Sequence, residues 1–89
     1  MRYTWDEAKR RQNLTDHGLD FVDAPIVFAG FTFTYEDDRF AYGEQRFVSL
    51  GLFAGIPVSI VHTETPDEIH IISFRKATRR EARLYFEAL

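Results

Sequence analysis

Arg75 and Lys76 stand immediately ahead of Thr78-Arg79-Arg80-Glu81, an arrangement suited to holding a phosphate. Two cations would meet the free backbone amides of a starting helix, and the arginine fork can grip two oxygens at once. The competing reading is an ordinary basic cluster pairing with Glu81 and Glu87. Lys9, Asn13 and His17 recur every four residues, which puts a cation, an amide and an imidazole along one stripe of a first helix. That stripe could face a phosphate; it could equally face solvent, with His17 placed favourably at the negative end of the helix dipole. His62 and His70 flank the turn between the last two strands. Histidine suits proton transfer near neutral pH, and His70 is the better placed of the two, His62 reading as a satisfied strand histidine. Neither has a third ligand at recognisable spacing, so no metal site and no cofactor is expected. One geometric limit applies. In an unbulged strand, residues five apart point to opposite faces, so His70 and Arg75 share a substrate only if the strand bulges or ends between them.

The elements that must position these groups follow from periodicity and capping. Thr4-Trp5-Asp6-Glu7 has capping-box spacing and predicts a helix from there to about Asp16, stopped by His17-Gly18. Asp20 then offers a cap for a second apolar segment, Phe21 to Phe28, which Pro25 should kink or shorten. After Gly30 the period becomes two, with Phe31, Phe33 and Tyr35 alternating against polar residues, and Asp37-Asp38 marks a loop. Three more strand-like runs follow at about Gln45 to Phe53, Ile56 to Glu64 and Ile69 to Arg75. Thr78-Arg79-Arg80-Glu81 repeats the capping-box spacing and opens a last helix with Ala82, Tyr85, Phe86 and Leu89 on one face. The expected architecture is α+β over residues 1–89 as one domain: two N-terminal helices, a four-stranded antiparallel sheet and a C-terminal helix.

Composition narrows the chemistry. The chain has 89 residues, nine of them Phe, and no cysteine, so a thiolate nucleophile, a disulfide or a cysteine zinc site is excluded. No leader-like apolar stretch opens the sequence and none approaches the roughly 18 residues of a membrane span, so a cytoplasmic protein without membrane contact is expected. The net charge of −3 argues against affinity for nucleic acid built from many phosphate contacts. The charge is unevenly spread, however. Arg75, Lys76, Arg79, Arg80 and Arg83 gather after residue 71 against only Glu81 and Glu87, leaving a basic end on an acidic body.

At these same residues the chain resembles the BrnT toxin family over nearly its whole length. The matching pieces are Trp5-Asp6 with Lys9, Asn13 and His17-Gly18, then Phe21, Ala24 and Phe28, then Gly43-Glu44 with Arg46 and Gly51. Ile71-Ile72-Ser73-Phe74-Arg75-Lys76-Ala77 follows, with Glu81 and Tyr85. The resemblance implies a RelE-like fold, metal-independent RNA cleavage that arrests translation, and neutralisation by a BrnA-type antitoxin with a ribbon-helix-helix domain. Operator DNA would be reached only through that antitoxin. In such cleavage a base takes the 2'-hydroxyl proton, cations hold the phosphorane, and an acid protonates the leaving 5'-oxygen. The candidate catalytic set is then Arg75, His70, His17, Lys9 and Arg46, with Lys76, Arg79, Arg80 and Asn13 as substrate contacts. Thr65 and His70 stand where the family usually has arginine, and Phe74 where it has a small alanine. The two lost guanidinium groups and the acidic body favour an alternative: an inactive homologue acting only as antitoxin partner and co-repressor.

Overall fold

A computed structural model describes every residue except Phe40 and Tyr42. Its chain order is β1 (Arg2–Trp5), α1 (Glu7–His17), α2 (Ala24–Ala29), β2 (Phe33–Glu36), β3 (Phe47–Phe53), β4 (Ile56–Thr65), β5 (Glu68–Lys76) and α3 (Arg79–Ala88). The strands form one five-stranded sheet in the order β1-β5-β4-β3-β2. The α+β class agrees with the expectation, but the sheet has a fifth strand and is mixed. β1 lies parallel to β5, while the other neighbours are antiparallel.

The extra strand overturns the first predicted cap. Tyr3 and Trp5 alternate into the core beside Ile69 and Ile71, and burying two aromatic rings outweighs a local capping preference. Thr4 is therefore extended, and its hydroxyl meets Glu68 and His70 on the neighbouring strand. The cap of α1 is Asp6, whose carboxylate accepts from the Lys9 amide at 3.0 Å. At the other end Gly18 adopts φ 70° and donates to the Leu14 carbonyl, the left-handed stop expected there. Asp20 caps a single 3-10 turn, Phe21–Asp23, rather than a continuous helix. Pro25 consequently falls in the first turn of a separate short helix, α2, where its missing N–H costs nothing.

The two faces of the sheet carry different layers. On one, Phe21, Ala24 and Val27 pack on Val58, Ile60, Ile69, Ile71 and Phe74, all essentially without solvent contact. α2 approaches β3 so closely that a Cβ at Gly51 would sit 2.6 Å from a Val27 methyl carbon, which explains glycine there. On the other face α3 lays Tyr85 over Val48 and Leu50, flanked by Phe33, Tyr35 and Val61. Only part of the predicted apolar stripe of α3 is covered, since Phe86 and Leu89 are exposed. Among the described residues no helix is long and apolar enough to cross a membrane.

His62 is buried under the α2 layer, with its Nε2 2.8 Å from the Ser49 hydroxyl and its ring between Phe28 and Phe47. Burial pushes its pKa down to about 4, the Thr63 backbone offsetting only part of the effect. Unfolding restores the ordinary value near 6.5, so between these two limits the unfolded chain takes up a proton that the folded one refuses. Stability is full above pH 6.5 and should fall by about 3 kcal/mol on going down to pH 4. Urea titrations at a series of pH values measure this, and His62→Gln should flatten the slope. Parallel losses in the variant and the parent would assign the acid sensitivity to other groups.

Candidate functional site

Arg75 meets Tyr35, Arg39 and Glu81 on the α3 face of the sheet. Two rows cross that face side by side. Tyr35, Val48, Val61 and Ser73 make one, and Phe33, Leu50, Ser59 and Arg75 the other. Val48 and Val61 floor a cavity of about 170 Å³ whose walls are Tyr35, Glu36, Asp37, Asp38, Arg39, Arg75 and Glu81. A wider groove of about 450 Å³ adjoins it, lined by Phe33, Tyr35, Arg39, Arg75, Thr78, Arg80, Glu81 and Leu84. Tyr35, Arg39, Arg75 and Glu81 belong to both and form the partition between them.

Arg75 reaches this face because β5 bulges. Val61 pairs with Ser73 and His62 with Ile71, so Ile72 is the extra residue. The bulge switches the alternation, keeping Ile71 and Phe74 in the core while His70 and Arg75 share the α3 face. The geometric condition set by the spacing is thus met. Proximity is not, because five residue steps along the strand put the two Cα atoms roughly 15 Å apart. His70 lies on the β1 side of the sheet with its Nδ1 2.8 Å from the Thr4 hydroxyl, and it lines neither cavity.

Glu81 sets the orientation of Arg75. As the third residue of α3 it completes a capping box with Thr78, accepting from the Thr78 amide at 2.8 Å. The same carboxylate receives Nη1 and Nη2 of Arg75 at 2.7 and 2.9 Å, and Nη1 also donates to the Lys76 carbonyl. Burial alone would raise the Glu81 pKa, but the bonds from Arg75 and the Thr78 amide outweigh it and hold the carboxyl below its usual range. Those contacts use the end of the guanidinium. Among the described residues none engages Nε, so the Nε–Nη2 edge, the fork that matches two phosphate oxygens, is left for a ligand. Burial raises the Tyr35 pKa, and the Glu81 charge adds to it, so the phenol stays protonated and can donate.

Other candidates lie elsewhere. Asn13 is buried, and its amide bridges three backbone groups: it donates to the Leu19 and Phe74 carbonyls at 3.0 and 2.7 Å and accepts from the Phe74 amide at 3.1 Å. β1 has ended by that point, and the Asn13 amide takes the place of a neighbouring strand along the β5 edge. Both ends of the amide are thus engaged in the interior, and Asn13 lines neither cavity. Lys9 and His17, one helical turn to either side, are exposed and line neither cavity. Arg46 pairs with Glu44, and its carbonyl accepts from the Asp37 amide at the base of the loop bordering the cavity. Lys76 pairs with Val58 in the register, placing it on the α2 side and away from Arg75. Arg80 lines the groove, whereas Arg79 does not.

Tyr35, Arg39 and Glu81 are the partition residues that sequence reasoning missed as a site. For Glu81 a signal existed in the capping-box position six residues after Arg75, but it reads there as a structural partner. No curated protein matches the chain. A family model described as the ribonuclease toxin BrnT of type II toxin-antitoxin systems matches residues 5–81, a span that includes all four residues of the partition. The chain belongs to the BrnT family of ribonuclease toxins of type II toxin-antitoxin systems.

Proposed function

We propose that the chain cleaves RNA without a metal: the 2'-hydroxyl oxygen bonds to the adjacent phosphorus as the P–O5' bond breaks, giving a 2',3'-cyclic phosphate and a 5'-hydroxyl, with water taking the 2'-hydroxyl proton and returning one to the 5'-oxygen, and with Arg75 holding that phosphate through its Nε–Nη2 edge. The observation that carries this is that Arg75 lines both cavities while Glu81 holds its Nη1 and Nη2 and leaves Nε without a partner among the described residues. A fork already aimed needs no reorganisation when charge builds on the phosphorane, and such preorganisation is the largest contribution a protein makes to this kind of chemistry. Arg80 adds charge from the first turn of α3 and the Tyr35 hydroxyl adds a neutral donor. His70, His17, Lys9 and Arg46 stand outside this constellation.

The partner we propose is an antitoxin of BrnA type, with a ribbon-helix-helix domain, that silences the site by covering it. Support comes from the neighbouring surface, where Leu84 and Phe86 of α3, Leu89 just after it and Phe31 before β2 are exposed large apolar side chains. A single-turnover assay on a short RNA, on the same RNA with one 2'-deoxy nucleotide at the cut position, and in excess EDTA tests the reading. Cleavage of the first, none of the second, no effect of EDTA and inhibition by the co-expressed antitoxin are expected. Inhibition by EDTA sinks the metal-free reading. An antitoxin complex without cleavage of any RNA leaves the inactive-partner alternative standing.

A further inference from the structure

Resting on the reading of Arg75 as the phosphate-holding residue, we propose that the 450 Å³ groove beside it is a nucleobase subsite. It takes the base of one nucleotide flanking the scissile bond in single-stranded RNA. The groove joins two chemistries that a nucleotide also joins. One side is apolar, formed by the Phe33 and Tyr35 rings, 6.1 Å apart on one face of an edge strand, and by Leu84 on α3. The other side is cationic. Arg75 lines it with Nε unengaged, and Arg80 has no hydrogen-bond or ion-pair partner among the described residues. The carboxylate of Glu81, the groove's acid, is already engaged by Arg75 and the Thr78 amide, so an incoming phosphate meets little uncompensated negative charge.

The placement defines how a nucleotide fits. With the scissile phosphate on Arg75 at the partition, an adjoining base lies against the Phe33 and Tyr35 rings under Leu84, and Arg80 faces the next phosphate. Leu84 follows Arg80 by four residues, so both project from one side of α3 over the groove. A base buried this way must be unpaired, because a duplex keeps its base faces covered by neighbours. This accounts for how a protein of net charge −3 engages RNA: affinity comes from one stacked base and two or three cations rather than from many phosphate contacts.

The experiment uses the full chain and a short RNA carrying an abasic ribonucleotide on the 5' or on the 3' side of the cleaved bond. Losing the base on one side is expected to lower kcat/KM about tenfold, the size of a lost base–aromatic stack, with little change on the other side. Leu84→Ser, an exchange at a half-exposed helix position, should slow cleavage of intact RNA and shrink the abasic penalty. Phe33→Leu should shrink it as well, with thermal melting confirming that both variants are folded. A parallel measurement of anisotropy with RNA made uncleavable by a 2'-deoxy nucleotide reads binding separately from chemistry. Cleavage that is indifferent to both abasic positions overturns the subsite while leaving the ribonuclease reading intact. A Leu84→Ser variant that weakens the antitoxin complex but keeps the full abasic penalty assigns the groove to the antitoxin and overturns the proposal. If intact RNA is neither cut nor bound, the phosphate reading and the subsite fall together.

Discussion

Arg75→Ala is expected to slow single-turnover RNA cleavage by about a thousandfold, the upper range for removing one preorganised donor from a developing oxyanion. The size of the effect follows from the geometry. The guanidinium is half-buried, bordered by both cavities and clamped by Glu81, so it offers a fixed fork at little entropic cost. Arg75→Lys keeps a charge but loses the fork, and should recover no more than a small part of the rate. Glu81→Gln separates position from charge. It removes the ion pair that aims Arg75, so kcat should fall about tenfold or more while the guanidinium is still present. A purely structural Glu81 would lower the melting temperature and leave the rate per folded molecule unchanged. The Arg75 assignment is abandoned if Arg75→Ala cuts RNA at the parent rate with its fold intact.

The largest effect on stability is expected at Asn13. Asn13→Ala removes one amide and leaves the Phe74 N–H, the Phe74 carbonyl and the Leu19 carbonyl without their partners in the interior. With about 1–3 kcal/mol for each buried polar group left unsatisfied, and partial relief by water, the loss should be about 3–4 kcal/mol. For a domain of this size that lowers the melting temperature by about 15–25 °C. Asn13→Asp is the sharper probe, because a carboxylate can still accept from the Phe74 amide yet must face two carbonyl oxygens. It should be at least as damaging at neutral pH. Cleavage measured well below the melting temperature should survive in proportion to the folded fraction. A fully stable Asn13→Ala variant that no longer cuts RNA would return Asn13 to the substrate-contact role its stripe with Lys9 and His17 first suggested.

Local patterns were legible where local physics decides the outcome. The Thr78–Glu81 capping box, the Gly18 stop of α1, the alternation of β2 and the runs that became β3, β4 and β5 were read from residues close together in the chain, and the structure keeps each of them. Family membership was legible too, since it rests on the order of short fragments along the chain. The same capping spacing at Thr4 misled, because β1 exists only through its partner. Arg2–Trp5 pairs with residues 68–71, and no spacing within the first seven residues reports an edge more than sixty residues away. Register was decided in the same way. The bulge at Ile72 puts His70 and Arg75 on one face, and it arises between two paired strands rather than in either alone. Lys9, Asn13 and His17 have identical helical spacing, yet Asn13 alone is buried, because packing against β5 selects one rotation of α1 and only an amide can serve both the donor and the acceptor of Phe74. The site itself is of this kind. Tyr35, Arg75 and Glu81 come from two strands and a helix, and they meet only because the sheet brings β2 and β5 under α3.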